Sequence, residues 1–292
     1  MRLAFKSILG GILMCSSTAL AEEATVEDWL LRTDLSINVN EDRLTLHLET
    51  LQPFHHTEQS SVFFQGRAAG SFAWRNGDDE GFTLNGGFGA RQFISDDTIL
   101  GFNAFYDHQT KYDHQRVSLG AEIISNHVTA RLNAYESLSG WKEISTVGTT
   151  VTEERALSGV DGELEWSIPY LPWARIAAGG YYWNAVANHD VRGFSAAFRG
   201  DINEYARVEI GGSIDNYDEK VWAKLSISLG AKRDVEYTAQ NDLFSDEPLP
   251  QRNLSNQLLR KVERSNTIVT ERRTRNTSTG ATVSAGVFIS GE

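Results

Sequence analysis

The sequence predicts an all-β protein whose twelve antiparallel strands close into a transmembrane β-barrel. Three observations predict this fold class. Apolar and polar residues alternate strictly over several windows, these windows are about ten residues long, and their polar face repeatedly carries charge. The 292 residues contain only 5 prolines but 25 glycines, and no apolar run long enough for a membrane helix follows residue 21. This composition suits strands joined by turns.

The alternation is clearest in two windows. From Arg116 to Ile123, valine, leucine, alanine and isoleucine alternate with arginine, serine, glycine and glutamate. From Val221 to Leu229, apolar residues again occupy every second position, and tryptophan, lysine and serine occupy the others. A period of two is typical of a β-strand with one apolar and one polar face.

Strand length and charge distinguish a barrel from a soluble β-sandwich. Strands of about ten residues suit a tilted crossing of a bilayer, whereas strands of soluble sheets are nearer five or six residues. Charged side chains would be unfavourable in a dry sandwich core, but they suit a wet barrel lumen. A soluble periplasmic β-protein with the same alternation is the alternative. The predicted lumen residues are Arg116, Glu122, Arg131, Glu163, Glu165, Arg207, Glu209 and Lys224.

The twelve strands follow one another along the chain as a single barrel over residues 32–230. They are predicted at 32–40, 43–51, 61–68, 81–94, 98–107, 115–124, 127–136, 159–168, 174–183, 192–201, 204–214 and 219–230. Because twelve is even, the chain enters the first strand and leaves the last strand on the same side of the membrane, the periplasmic side. Connections after even-numbered strands should then be short periplasmic turns, with 52–60 as a longer exception. Connections after odd-numbered strands should include the longer outward loops, above all 137–158.

The N-terminal residues predict export. A basic start and a short apolar run precede Ala19-Leu20-Ala21, which matches a signal-peptidase site and predicts a cleaved signal peptide at 1–21. We expect 22–31 to be a short periplasmic lead. The one cysteine, Cys15, would leave with the signal peptide, so no disulfide is expected. A formal net charge of −12 argues against a nucleic-acid partner, which would require a basic face.

Several motifs, in order along the chain, are similar to those of one family. They are Gly101–His108 (GFNAFYDH), Leu119–Glu122 (LGAE), Leu138–Lys142 (LSGWK) and, after the barrel, Leu259–Arg273 (LRKVERSNTIVTERR). Together they resemble the β-domain and linker of inverse autotransporters of the intimin/invasin type, over roughly Asp34 to Arg273. Several separated matches in the right order are far more specific than any one of them.

This resemblance implies an outer-membrane barrel that moves its own C-terminal passenger to the cell surface. It also implies that a linker at 231–273 forms a short helix and then runs extended through the lumen. The linker candidates are Arg260, Lys261, Arg264, Asn266 and Arg272. We expect the basic ones to be held by Glu122, Glu163, Glu165 and Glu209 of the lumen. The partners implied are outer-membrane lipids, the barrel-assembly machinery and periplasmic chaperones, around a monomeric barrel.

The residues after the linker depart from the family pattern. Residues 274–292 are mostly threonine, serine, glycine and alanine, and we expect a short tail with no passenger domain. Adhesion is therefore not carried over from the resemblance. A truncated gene, a stand-alone barrel with a short tail and a barrel with a separately encoded partner are all compatible with this pattern.

Two other functions remain open, an outer-membrane porin or channel and a surface hydrolase. For a hydrolase, His189-Asp190 and Asp78-Asp79 fall in predicted outward loops, where such a cluster could activate water. No serine has the sequence context of a nucleophile elbow. The spacing of His108 and His114 matches no known set of metal ligands. We expect no enzymatic activity, no cofactor and no metal.

Overall fold

Twelve antiparallel strands close into a barrel in which the first strand pairs with the last barrel strand. The computed structural model describes residues 28–73, 81–230, 233 and 235–288. The predicted signal peptide, most of the lead and Asp78-Asp79 lie outside these residues. The barrel strands are β1 (Thr33–Asn40), β2 (Arg43–His56), β3 (Ser60–Ala73), β4 (Phe82–Ser95), β5 (Thr98–Gln109), β6 (His114–Ser125), β7 (Val128–Ser137), β10 (Ser158–Ile168), β11 (Leu171–Asn184), β12 (Val191–Asp201), β13 (Ala206–Asp215) and β14 (Glu219–Ser228).

Four further strands form a second sheet at one end of the barrel. They are β8 (Lys142–Val147), β9 (Thr150–Ala156), β15 (Thr270–Asn276) and β16 (Thr282–Phe288), in the order β16-β15-β9-β8. The long loop predicted at 137–158 is therefore largely a hairpin, and the predicted short tail at 274–292 contributes β16 and the last three residues of β15. We call this sheet the loop-end sheet.

The barrel is apolar outside and polar inside, as the alternation predicted. In β5, Phe102 is 58% exposed while its neighbour Asn103 is 8% exposed. In β6, Leu119 is 69% exposed and Ser118 is 4% exposed. Large apolar side chains that face outward on all sides require a lipid environment, because water around such a surface would be unfavourable.

The two ends of the barrel differ in their connections. At one end, which we call the turn end, β2–β3, β4–β5, β6–β7, β10–β11 and β12–β13 are joined by two to four residues. The opposite end, which we call the loop end, has the β8–β9 hairpin and the loops 110–113 and 185–190.

The predicted long turn at 52–60 is wrong. Strand β2 continues to His56, and only 57–59 form the turn. The pairing of β2 with β3 shifts register between Pro53 and His55. Proline has no N–H to donate to the ladder, so a strand passes it through an irregularity of this kind. The proline therefore ended the predicted strand too early.

The chain after β14 lies first across the turn end. The backbone N–H of Tyr170, in the β10–β11 turn, donates to the carbonyl of Pro248, and Ala239 N–H donates to the carbonyl of Asp201. A single 3-10 turn, Leu254–Gln257, follows and is capped by the side chain of Asn253. The short helix predicted for the linker is this one turn. Across the described ranges, no helix is long and apolar enough to cross a membrane.

Candidate functional site

The candidate functional site is the barrel lumen together with residues 258–269, which we call the lumen segment. At the turn end, Leu254 and Leu258 pack against Ile99 and Ile124 inside the barrel. The carbonyl of Leu258 accepts a hydrogen bond from the hydroxyl of Ser61 at 2.7 Å. This apolar cluster fixes the point at which the chain enters the lumen.

Further along, Gln65 of β3 binds the backbone of Val262 on both sides. The Val262 N–H donates to Gln65 Oε1 at 2.8 Å, and Gln65 Nε2 donates to the Val262 carbonyl at 3.2 Å. The Val262 side chain packs with Leu51, Phe63 and Phe105. A side-chain amide thus replaces the partner that an extended backbone would find in a sheet.

The centre of the site is the carboxylate of Asp107, on which two arginines converge. Arg264 of the lumen segment donates to both carboxylate oxygens at 2.9 and 2.6 Å, and Arg116 of β6 donates from Nε at 2.9 Å. None of the three side chains is exposed. The Arg264 guanidinium also stacks over the rings of Phe105 and Tyr135, with its Cζ 4.6 and 5.3 Å from the centroids. A bidentate pair of this kind fixes both position and direction.

Next to Asp107, the backbone of the lumen segment is bound residue by residue. Arg116 donates to the carbonyl of Ser265 at 2.8 Å, and the Ser265 N–H donates to the Tyr135 hydroxyl oxygen at 2.8 Å. Asn85 donates to the carbonyl of Asn266 at 2.9 Å. The barrel therefore binds the lumen segment through its main chain as well as through the Arg264 side chain.

A second group of charges surrounds Glu165 of β10, which is separated from β5 by two strands, β6 and β7. Arg260 of the lumen segment lies 2.8 Å from its carboxylate, and Arg199 lies at 2.7 Å. Arg131 and Arg175 are 3.6 and 3.8 Å away. The Glu165 side chain is 1% exposed, so four cations around it offset the loss of its hydration.

Two more ion pairs join the lumen segment to β1 and β13, the two strands on either side of β14. Lys261 lies 2.6 Å from Asp34 of β1, which Arg233 also approaches at 3.3 Å. Glu263 lies 3.8 Å from Arg207 of β13. Lumen-segment residues 260, 261, 263 and 264 thus reach strands on several sides of the barrel.

A cavity of about 230 Å³ remains beside the lumen segment. Small or polar residues of β1 and β11–β13 line much of it, such as Asn38, Gly180, Ser195 and Ser213. The backbone contacts of the segment lie mainly on β3–β7, so the lumen is filled unevenly.

All eight predicted lumen residues face the interior. Arg116, Glu122, Arg131 and Glu165 are buried. Glu163, Arg207, Glu209 and Lys224 line the cavity, and Lys224 pairs in register with Glu209.

The expected pairing of these residues with the linker needs correction. Glu165 does contact a basic linker side chain, but Glu122 bonds to Arg91 at 2.7 Å. Glu163 is bonded by Arg131 and Arg199, and Glu209 also by Arg199. These three acids pair with barrel arginines that lie one or two strands away and already satisfy their charge. The lumen segment instead contacts Asp107 and Asp34, which the alternation did not identify as its partners.

Of the five linker candidates, four lie in the lumen segment and one does not. Arg272 lies in β15 of the loop-end sheet, 2.5 Å from Glu154. Its expected place among the lumen acids is wrong, because the chain leaves the barrel at Val269, whose side chain packs with Leu157 and Trp183 at the loop end.

The acids of β9 lie beyond the barrel strands. The hydrogen bond from Arg275 and that from Arg273 hold the pKa of the Glu153 carboxyl below its ordinary value, against the opposing effect of burial. Burial raises the pKa of Glu154, but hydrogen bonds from His114 and Arg272 outweigh it, and its pKa is also lowered. Both carboxylates are therefore ionised at neutral pH.

The residues considered for a hydrolase have other partners. Asp190 accepts hydrogen bonds from the Tyr182 hydroxyl at 2.5 Å and from the Ala185 N–H at 3.0 Å. It thus shapes its own loop. In the part of the chain that the structure describes, no group of three or more histidine, cysteine, aspartate and glutamate side chains is arranged to hold a metal ion.

A model of the inverse autotransporter β-domain matches residues 21–266. The chain belongs to this family. It is thus a β-barrel of the bacterial outer membrane.

Named relatives agree with this family. A chain of Escherichia coli strain K12 described as a homolog of attaching and effacing proteins is 29% identical over 161 residues, 53% of this chain and 51% of that protein. Intimin of Escherichia coli O111:H- is 29% identical over 48% of this chain, and invasin of Yersinia enterocolitica is 31% identical over 52%. The matches span 14% and 18% of those two proteins. The chain thus spans about half of the first relative and much less of the others.

The solved structures agree with the fold. A chain from a study called "Unveiling the Mechanism Behind the in-meso Crystallization of Membrane Proteins" superposes with a TM-score of 0.64 at 20% identity, over 82% of this chain and 99% of that one. Outer membrane phospholipase A of Escherichia coli reaches a TM-score of 0.45 at 8% identity, which carries no argument for an enzyme.

Proposed function

We propose that this inverse autotransporter barrel conducts its own C-terminal chain through its lumen and presents it at the cell surface. The loop end then faces outward and the turn end faces the periplasm. In this proposal residues 1–21 are the signal peptide, 22–31 the periplasmic lead, 32–230 the barrel and 231–273 the linker, and no step is enzymatic.

The observation that carries the proposal is the path of the lumen segment. Its contacts run from Leu258 beside Ser61, near the turn end, through Arg264 on Asp107 to Val269 at the loop end. About eleven residues of extended chain reach at most some 36–40 Å, enough to cross a hydrocarbon core of about 30 Å. A chain held along this path has one end on each side of the membrane.

The proposed partners follow from the surface and the family. The outward apolar residues, such as Phe102 and Leu119, would contact outer-membrane lipids. The barrel-assembly machinery and periplasmic chaperones are proposed because an exported strand-rich chain must stay unpaired until it inserts. The barrel is proposed to be monomeric.

An epitope tag after Glu292 tests the proposal in intact cells. The tag should bind antibody without permeabilisation. A matched tag inserted in the turn 96–97, at the turn end, should bind only after the outer membrane is opened. Labelling of the 96–97 tag in intact cells, with no labelling of the C-terminal tag, would reverse the topology and overturn the proposal.

A channel is the second candidate, and the cavity of about 230 Å³ beside the lumen segment is the observation that favours it. The many contacts of the lumen segment favour a plugged state instead. Conductance of the purified protein distinguishes an open channel from a plugged barrel. An open channel would conduct in the wild type, whereas a plugged barrel would conduct only after a change such as loss of Arg264 releases the lumen segment.

A further inference from the structure

The loop-end sheet joins two distant parts of the chain by strand addition. Strand β9 pairs with β15 over seven residues, from Thr150 opposite Asn276 to Ala156 opposite Thr270. The β8–β9 hairpin belongs to the barrel, whereas β15 is the first strand after the lumen segment. Main-chain pairing of this kind is a general way to bind an extended peptide at a sheet edge.

Charge gives this edge a preference for one sequence. Glu153 lies 2.9 Å from both Arg273 and Arg275, and Glu154 lies 2.5 Å from Arg272. Because adjacent residues of a strand point to opposite faces, Glu153 and Glu154 hold the added strand from both faces of the sheet.

A second recognition element holds the acidic residue of the same strand. Glu271 is fully buried, and its carboxylate accepts hydrogen bonds from the N–H groups of Val186 and Ala187 at 2.9 and 3.0 Å. The side chain of Asn188 donates to it as well, at 3.1 Å. Three N–H donors from one loop thus bind the Glu271 carboxylate. Glu271 is the second residue of β15, the strand that follows the lumen segment.

The loop that supplies these donors is shaped by contacts that do not involve β15. Asp190 accepts from the Ala185 N–H and from the Tyr182 hydroxyl. Asn216 donates to the Asp190 carbonyl at 3.0 Å, and Tyr217 donates to the His189 carbonyl at 2.5 Å. The donors are therefore positioned by the barrel itself, which lowers the entropic cost of binding.

We propose that β9 and the loop 185–190 form a strand-binding site at the exit of the lumen, which captures residues 270–276 of this chain and keeps them outside. The site recognises the sequence Glu271-Arg272-Arg273-Thr274-Arg275, in which one acidic residue precedes three arginines. This inference rests on the proposed function, since it requires that β15 has passed through the barrel.

An engineered disulfide reports the captured state. Thr152 and Thr274 face each other in register, and their hydroxyl oxygens are 3.1 Å apart, so cysteines there are placed to bond. The natural Cys15 falls in the predicted signal peptide and does not interfere. In T152C/T274C cells, the disulfide should form rapidly under mild oxidation.

Charge reversal then tests recognition. Glu153→Lys should slow disulfide formation about tenfold, which corresponds to about 1.4 kcal/mol. The triple change with R273E and R275E should restore the rate, because the two signs are exchanged. Glu58→Lys is the charge-reversal control, since Glu58 is exposed in the turn 57–59 at the opposite end of the barrel; it should leave the rate within about twofold.

The same cells also carry the tag after Glu292, which separates two kinds of failure. A surface tag without the disulfide overturns the binding site and leaves the proposed function standing. A tag that stays inside, also without the disulfide, overturns both. Equal oxidation rates in the T152C/T274C parent, in the parent with E153K and in the triple variant would overturn selection of the strand by charge.

Discussion

At the residue scale, Asp107 combines two tasks in one carboxylate. It pairs in register with Arg116 of the neighbouring strand, and it receives Arg264 from the lumen segment. All three groups are fully buried, so each depends on the others for the interactions that water would otherwise supply. The barrel wall and the lumen segment thus share one charge network.

Removal of this carboxylate should destabilise the protein more than any exposed charge. Asp107→Ala leaves Arg116 and Arg264 buried without their shared partner, which should cost about 3–5 kcal/mol. Urea unfolding in lipid vesicles, followed by tryptophan fluorescence, measures the loss. Asp113→Asn is the control, because asparagine also tolerates the positive φ of 54° at this position. Asp113 is 58% exposed and pairs with Lys142, so this change should barely move the unfolding midpoint. Equal losses for both variants would contradict a central role for Asp107.

The residues that carry the site were only partly predictable. The alternation identified which charges face the lumen, because that depends on local sequence alone. It did not identify their partners, since a partner depends on strand register and on competition between neighbours. Glu122 is the example. Its carboxylate lies 2.7 Å from the Arg91 guanidinium, although β5 separates their two strands. This contact is possible because the β5 residue between them is Gly101, which has no side chain.

At the scale of single elements, Gly101 shows why a motif carries glycine. It pairs with Arg91 on one side and with Glu122 on the other, and an added Cβ would come 2.7 Å from Glu122 Cγ. The absence of a side chain on β5 lets the ion pair bridge β4 and β6. The glycine that opens the family motif therefore makes room for a buried ion pair.

Gly101→Ala should weaken the sheet where these three strands meet. We expect a loss of about 1–3 kcal/mol from overpacking and a distorted Arg91–Glu122 pair. The midpoint of the heat-induced shift in gel mobility measures it. Gly140→Ala is the matched control, because a Cβ at Gly140 meets no atom within 4 Å. A midpoint unchanged in G101A would refute this account of the motif.

Among the elements, the barrel strands were predicted and the loop-end strands were not. Each barrel strand carries a strong period of two, imposed by lipid on one side and a polar lumen on the other. Strands β8 and β9 are shorter, and β15 joins them from more than a hundred residues away. Their pairing depends on this long-range contact, which no local pattern contains. In the tail, Val283, Val287 and Phe288 indicated a short β-prone end, but they did not identify its partner, β15.

At the scale of the whole molecule, the barrel and its C-terminal segment form one folded unit. The segment supplies Arg260, Lys261 and Arg264 to carboxylates on three different strands. It also supplies apolar residues to clusters at both ends of the lumen. A twelve-stranded barrel is wide enough to need such filling, since only barrels of about eight strands close on their own side chains.

Two truncated chains test the filling. A chain ending at Leu229 lacks the lumen segment, and its conductance in planar bilayers should exceed that of the full chain at least roughly tenfold. A chain ending at Val269 keeps the segment and loses β15 and β16, so its conductance should stay near that of the full chain. Heat-modifiable gel migration confirms that each barrel has folded. Equal conductance of all three chains would show that the segment does not plug the lumen.

The register of β15 with β16 has a mechanical consequence. Phe288 faces Thr270, so the chain returns to the level at which it left the barrel. A pull applied beyond Phe288 would therefore peel β16 from β15 one residue pair at a time, at low force. Single-molecule pulling should record this opening as an early extension before any larger rupture, and a single high-force rupture would contradict it. The β15–β16 hairpin would then extend under low force and limit the tension that a load on the surface end transmits to the barrel.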